Sequence, residues 1–127
     1  MEKFNLNTPV LFAGLTMALT FLVHVFVGGP ELYTPLRASN LSMVEWSTWS
    51  VVWHFVSMQL LLLAVSLLYL ARSRNVGLFS FVFATTIGFA LLFIGYGIID
   101  LDSIFLMPQW IAFVVVAGLM FWGARRS

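Results

Sequence analysis

The chain holds two histidines, His24 and His54, and each stands inside an apolar run with small hydroxyl side chains at helical spacing around it. Thr16, Thr20, His24 and Gly28 recur at every fourth residue, and Ser47, Ser50, His54 and Ser57 at every third or fourth. Each set therefore lines one face of a helix. Imidazole is the commonest metal ligand and also carries protons near neutral pH. An ionisable group inside a membrane span is expensive and marks a functional site by default. Three kinds of chemistry follow. Two histidines on different helices could ligate a haem iron axially. With a carboxylate from Glu31, Glu45, Asp100 or Asp102 they could hold a transition metal between two imidazoles and one carboxylate. As a protonatable pair they could serve a small transporter or channel component.

The same residues also have plainer roles. His24 could hydrogen-bond Ser50 or Ser57 across a helix interface, and His54 could do so with Thr20, each contact contributing about 1 kcal/mol. Ser42-Met43-Val44-Glu45 has the spacing of a capping box, which explains Glu45. Asp102 or Ser103 suits a helix cap, and Asp100 and Glu31 suit solvated loops. Haem ligation carries a geometric condition. Adjacent antiparallel helices about 8–10 Å apart leave no room for a porphyrin, so the two histidine helices would have to sit diagonally. The long connection from Gly28 to Ser47 permits that.

The elements that must position these residues are membrane spans. The chain of 127 residues is 61% hydrophobic and 9% charged, far below the roughly one-quarter charged content of soluble domains. A surface this apolar is solvated by lipid. Runs of about 20 apolar residues, the length of a transmembrane helix, occur at 10–27, 49–71, 76–99 and 104–123, and none contains a charged residue. Thr8-Pro9 predicts the start of the first span, with Thr8 as the capping hydroxyl, and Gly28-Gly29-Pro30 predicts its end. Arg72-Ser73-Arg74-Asn75 and Asp100-Leu101-Asp102-Ser103 read as tight turns. The first span is too long for a signal-peptide core and no small-residue cleavage site follows it, so it is expected to be retained.

Charge placement orients the spans. Five of the six cations, Lys3, Arg72, Arg74, Arg125 and Arg126, fall on one side, which the positive-inside rule makes cytoplasmic, and Arg37 falls on the other. Glu31, Glu45, Asp100 and Asp102 fall on the other. Aromatic anchors such as Tyr33, Trp46, Trp49, Trp53 and Trp110 sit toward that outer face. Both imidazoles then belong to the outer leaflet, His24 about 6 Å and His54 about 8–12 Å inward at 1.5 Å per residue. Small residues at Gly77, Ser80, Ala84, Gly88 and Gly95 predict the packing face of the third span.

The sequence thus predicts an all-α integral membrane protein: one domain, an up-down four-helix transmembrane bundle with both termini cytoplasmic, in the plasma (inner) membrane. There are no cysteines, so disulfides, thiolate metal sites and thiol catalysis are excluded. No basic stripe interleaved with aromatics points to nucleic acid, and no catalytic-triad, P-loop or H-E-x-x-H motif is present. The expected partners are the bilayer and either a second copy or another membrane subunit. The expected role is a non-catalytic subunit or accessory protein. The alternatives are a haem- or metal-binding redox protein using His24 and His54, and a transporter component with a protonatable histidine pair.

Overall fold

The computed structural model describes residues 6–126. All regular structure among them is helical: α1 (Thr8–Val23), a π-helical continuation (His24–Tyr33), α2 (Thr34–Arg37), α3 (Met43–Leu70), α4 (Val76–Leu101) and α5 (Trp110–Arg126). Lys3, one of the cations used to orient the chain, lies outside the described residues. Three helical runs are long and apolar enough to cross a membrane: Thr8–Arg37 with 30 residues, Met43–Leu70 with 28 and Val76–Leu101 with 26. In their most apolar windows only 22%, 22% and 17% of residues are buried inside the protein, so most of their apolar surface faces outward. That is the exposure expected of helices solvated by lipid.

Three of the expected boundaries move. The first helix does not stop at Gly28-Gly29-Pro30 but widens into a π-helix that runs through Pro30 to Tyr33. In an α-helix the proline ring would collide with the carbonyl of Phe26, four residues earlier. The wider turn relieves this, and the Thr34 N–H donates to Gly29 O, five residues back. The cap of α1 is Asn7 rather than Thr8, its Oδ1 accepting from the Val10 N–H at 3.3 Å.

The last helix starts at Trp110 rather than at 104. Asp102 does not cap α5; it ends α4 in the left-handed conformation, φ 51°, with its N–H on Gly97 O. Ser103 donates to the same carbonyl at 2.9 Å. A Cβ on Gly97 would lie 3.2 Å from Ser103 O and 3.1 Å from Ile104 Cα, so glycine at 97 lets the return loop pack this closely. The Trp110 indole then holds Ile104 O at 2.9 Å and keeps the loop out of the helix. The capping box at Ser42 and Glu45 forms as its spacing predicts.

The helices meet through residues three and four apart. Val10, Ala13 and Met17 of α1, Leu60, Leu63, Ala64 and Leu67 of α3, and Val116 and Met120 of α5 make one core with Val82 and Ala90 of α4. α1 lies between α3 and α5, and α4 packs chiefly on α5 through Phe89 and Phe93 stacked on Phe113, with centroids 5.0 and 5.9 Å apart. Thr86 is the one buried polar side chain among the described residues, and it donates to Val82 O within its own helix. The predicted small-residue face of α4 is not the packing face. Gly77, Ser80 and Ala84 are exposed, and Gly88 and Gly95 have nothing within 4 Å of a would-be Cβ. The chain packs α4 instead through Val82, Thr86, Ala90 and the phenylalanines, whose larger contact area outweighs close backbone approach.

Close approach is used elsewhere, at the end of the molecule where α1 begins and α3 and α5 finish. Asn7 joins three helices there. Its N–H donates to Ala71 O at 2.8 Å and its Nδ2 to Gly123 O at 3.0 Å. From Ala18 through Gln59, by contrast, no residue is fully buried. The buried residues of α1 and α3 thus lie in the half near Asn7, and both histidines lie in the other half.

Candidate functional site

The π-helical segment and the first turns of α3 carry the chain's polar and aromatic residues toward one another. His24 is the first residue of the segment and Gly28 follows it one turn on. The Trp53 ring from α3 lies flat on the His24 imidazole, centroids 4.2 Å apart and planes 20° apart. It also covers Gly28, where a Cβ would sit 3.2 Å from Trp53 Cη2. The missing side chain at position 28 is what opens the seat for the indole. At the end of the segment Tyr33 returns over α3. Its ring sits 4.9 Å from Trp46, 5.5 Å from Trp53 and 5.8 Å from His54. Its hydroxyl donates to Ser50 Oγ at 3.1 Å, and Ser50 donates onward to Trp46 O at 3.0 Å. The Arg37 guanidinium lies 6.0 Å from the Trp46 ring.

The two imidazoles therefore belong to one aromatic cluster, but they are linked through other rings and not by a ring contact of their own. His24 meets Trp53, Trp53 meets Tyr33, and Tyr33 meets His54. His24 is half-buried and His54 is exposed. The anticipated partners are engaged elsewhere: Thr20 donates to Thr16 O, and Ser57 to Trp53 O. His24 Nε2 is buried without a hydrogen-bond partner. α1 and α3 pack directly on each other rather than lying diagonally, and an indole fills the space on the His24 ring.

The candidate carboxylates are spread. Glu31, Asp100 and Asp102 are exposed, and Glu45 Oε2 accepts from Ser42 N–H at 2.9 Å and from Ser42 Oγ at 2.7 Å. Among the described residues no group of three or more His, Asp or Glu is placed to hold a metal ion. No known family, curated protein or solved structure matches this chain.

Trp53 and Tyr33 are the central members of the cluster, although both look like membrane-boundary anchors from their positions along the chain. A usable signal existed: His24 and Gly28 one turn apart form a flat step beside a glycine gap, the shape that accepts an aromatic ring.

Proposed function

We propose that this chain is a non-catalytic membrane subunit or accessory protein, a single four-span domain whose histidines serve packing. The observation that carries the reading is the Trp53 ring on His24, which engages the imidazole in the seam between the first two helices. Tyr33, Ser50 and Glu45 are likewise engaged within the chain. The unused small-residue face of α4 supports a partner within the membrane, a second copy or another subunit.

The proposed architecture is an up-down bundle in the plasma membrane with both termini cytoplasmic. α5, with 17 residues, is roughly 26 Å long at 1.5 Å per residue, close to the ~30 Å of a hydrocarbon core. Arg72 and Arg74 lie beside the ends of α1 and α5 that Asn7 ties together, in line with one cationic face. Because the chain has no cysteine, Ser73→Cys and Ser39→Cys report sidedness cleanly. In intact cells a membrane-impermeant maleimide is expected to label Ser39→Cys and to spare Ser73→Cys until the cells are opened. The reverse pattern would invert the topology.

A second reading rests on one atom. His24 Nε2, buried and without a partner, is the feature a haem- or metal-binding protein or a proton carrier would need. His54 would be its counterpart, with Glu31, Glu45, Asp100 or Asp102 as carboxylate. A haem between the two rings would have to displace Trp53. Absorption spectra of purified protein, oxidised and dithionite-reduced, with elemental analysis, separate the readings. The accessory role expects no Soret band, no stoichiometric metal and no change on incubation with haem. A chromophore or metal lost in both His24→Ala and His54→Ala would replace it with redox chemistry.

A further inference from the structure

At the end of the molecule opposite the histidines a cavity of about 650 Å³ opens between the start of α1, the α3–α4 turn and the last turn of α5. Its rim carries Arg72, Arg74 and Arg126, with Ser73 and Asn75 between them in the turn. Its wall includes Pro9, Leu70 and Phe79, which belong to the apolar helices below. The described residues that line it include no carboxylate. Two helix N-termini and two C-termini meet here, so their dipoles largely cancel and the guanidinium groups are the charged groups among the described lining residues.

From these features we infer that the cavity binds the phosphodiester headgroup of an anionic phospholipid. Guanidinium is the cation whose planar fork matches phosphate oxygens, and Arg72 and Arg126, from two different elements, can approach one phosphate from two sides. Arg126 is placed for this by its stack on Trp122, 4.5 Å from the ring centroid, and interfacial tryptophan marks the headgroup level. The pocket's frame is held by Asn7, bonded to Ala71 O and Gly123 O. Binding there requires little ordering of the backbone. Size and wall chemistry favour a lipid over a free ion. The volume lies within the range of small-molecule sites, far more than an inorganic phosphate fills, and part of the wall is apolar, which suits the glycerol and first acyl carbons of a lipid. Basic pockets between spans at the cationic face are where anionic headgroups bind.

The test uses the full chain purified in a neutral detergent. Phosphatidylglycerol is expected to raise its thermal midpoint, whereas phosphatidylcholine and inorganic phosphate at millimolar concentration leave it unchanged. The paired change Arg72→Gln with Arg126→Gln is expected to weaken the phosphatidylglycerol response about tenfold. Arg125→Gln removes the same kind of charge from a residue outside the cavity lining and is expected to keep the response. Equal losses in Arg125→Gln and the pair would overturn the site in favour of general charge attraction. A response reproduced by inorganic phosphate would overturn the lipid assignment. Should the paired variant not fold, native mass spectrometry of the unaltered chain decides. One retained phosphatidylglycerol per chain is expected, and retention no better than phosphatidylcholine refutes the inference.

Discussion

Gly123→Ala is expected to destabilise the detergent-solubilised protein by about 1–3 kcal/mol, although it adds one methyl group. Helix propensity argues the other way, since alanine is favoured over glycine by about 1 kcal/mol in a helix interior. Packing decides the sign. A Cβ at position 123 would lie 2.6 Å from Val10 Cγ2 and 2.7 Å from Asn7 Oδ1. Neither neighbour has room to yield. Val10 is 1% exposed, and Asn7 is held by its bonds to Val10 N–H, Gly123 O and Ala71 O. Moving Asn7 aside would uncap α1 and loosen the ends of α3 and α5 together. Gly88→Ala is the control, with nothing within 4 Å of its Cβ, and it is expected to be neutral or slightly stabilising. Thermal or denaturant unfolding followed by circular dichroism checks both. If the two variants unfold together, the three-helix junction at Asn7 is not a stabilising feature.

Trp53→Ala is expected to release the segment from His24 to Arg37 from α3 while leaving the core half of the molecule folded. Truncating a partly buried tryptophan in this seam is expected to cost about 2–4 kcal/mol, toward the low end of large aromatic deletions. The loss is large because one ring serves several contacts: His24 at 4.2 Å, Tyr33 at 5.5 Å, and the Gly28 seat. No residue from Ala18 through Gln59 is fully buried, so none in that stretch would substitute for it. Hydrogen exchange is the decisive readout. Protection is expected to fall in residues 24–37 and to persist around Met17, Leu63 and Val116, which are buried in the core. Gly28→Val should produce a weaker form of the same change, because its side chain intrudes on the indole. His54→Ala should cost well under 1 kcal/mol, since its ring is exposed and meets Tyr33 alone. Equal protection losses in Trp53→Ala and His54→Ala would refute the central role of Trp53.

These expectations also show where reading along the chain stops. The three long apolar helices were legible because lipid offers no partner to backbone N–H and C=O groups, so long apolar runs must satisfy them internally. The capping box at Ser42 was legible because all its groups lie within four residues. The start of α5 was not, because it depends on the Trp110 indole reaching Ile104 O and on Gly97 admitting the return loop.

The histidine site divides in the same way. Composition places two imidazoles on polar helical faces, and this much needs only the spacing of side chains on a regular helix. Spacing names a face, however, and not its neighbour. Beyond His24 the turns widen around Pro30, so faces projected at 3.6 residues per turn no longer hold for Glu31 or Tyr33. Which ring fills the gap at Gly28 depends on how α3 is rotated against α1, and that rotation is set by Met17, Leu60 and Leu67 far from the site. Membership of the spans is a local property of hydropathy and backbone hydrogen bonding. The pairing of His24 with Trp53 is a product of packing between helices, which no single helix contains.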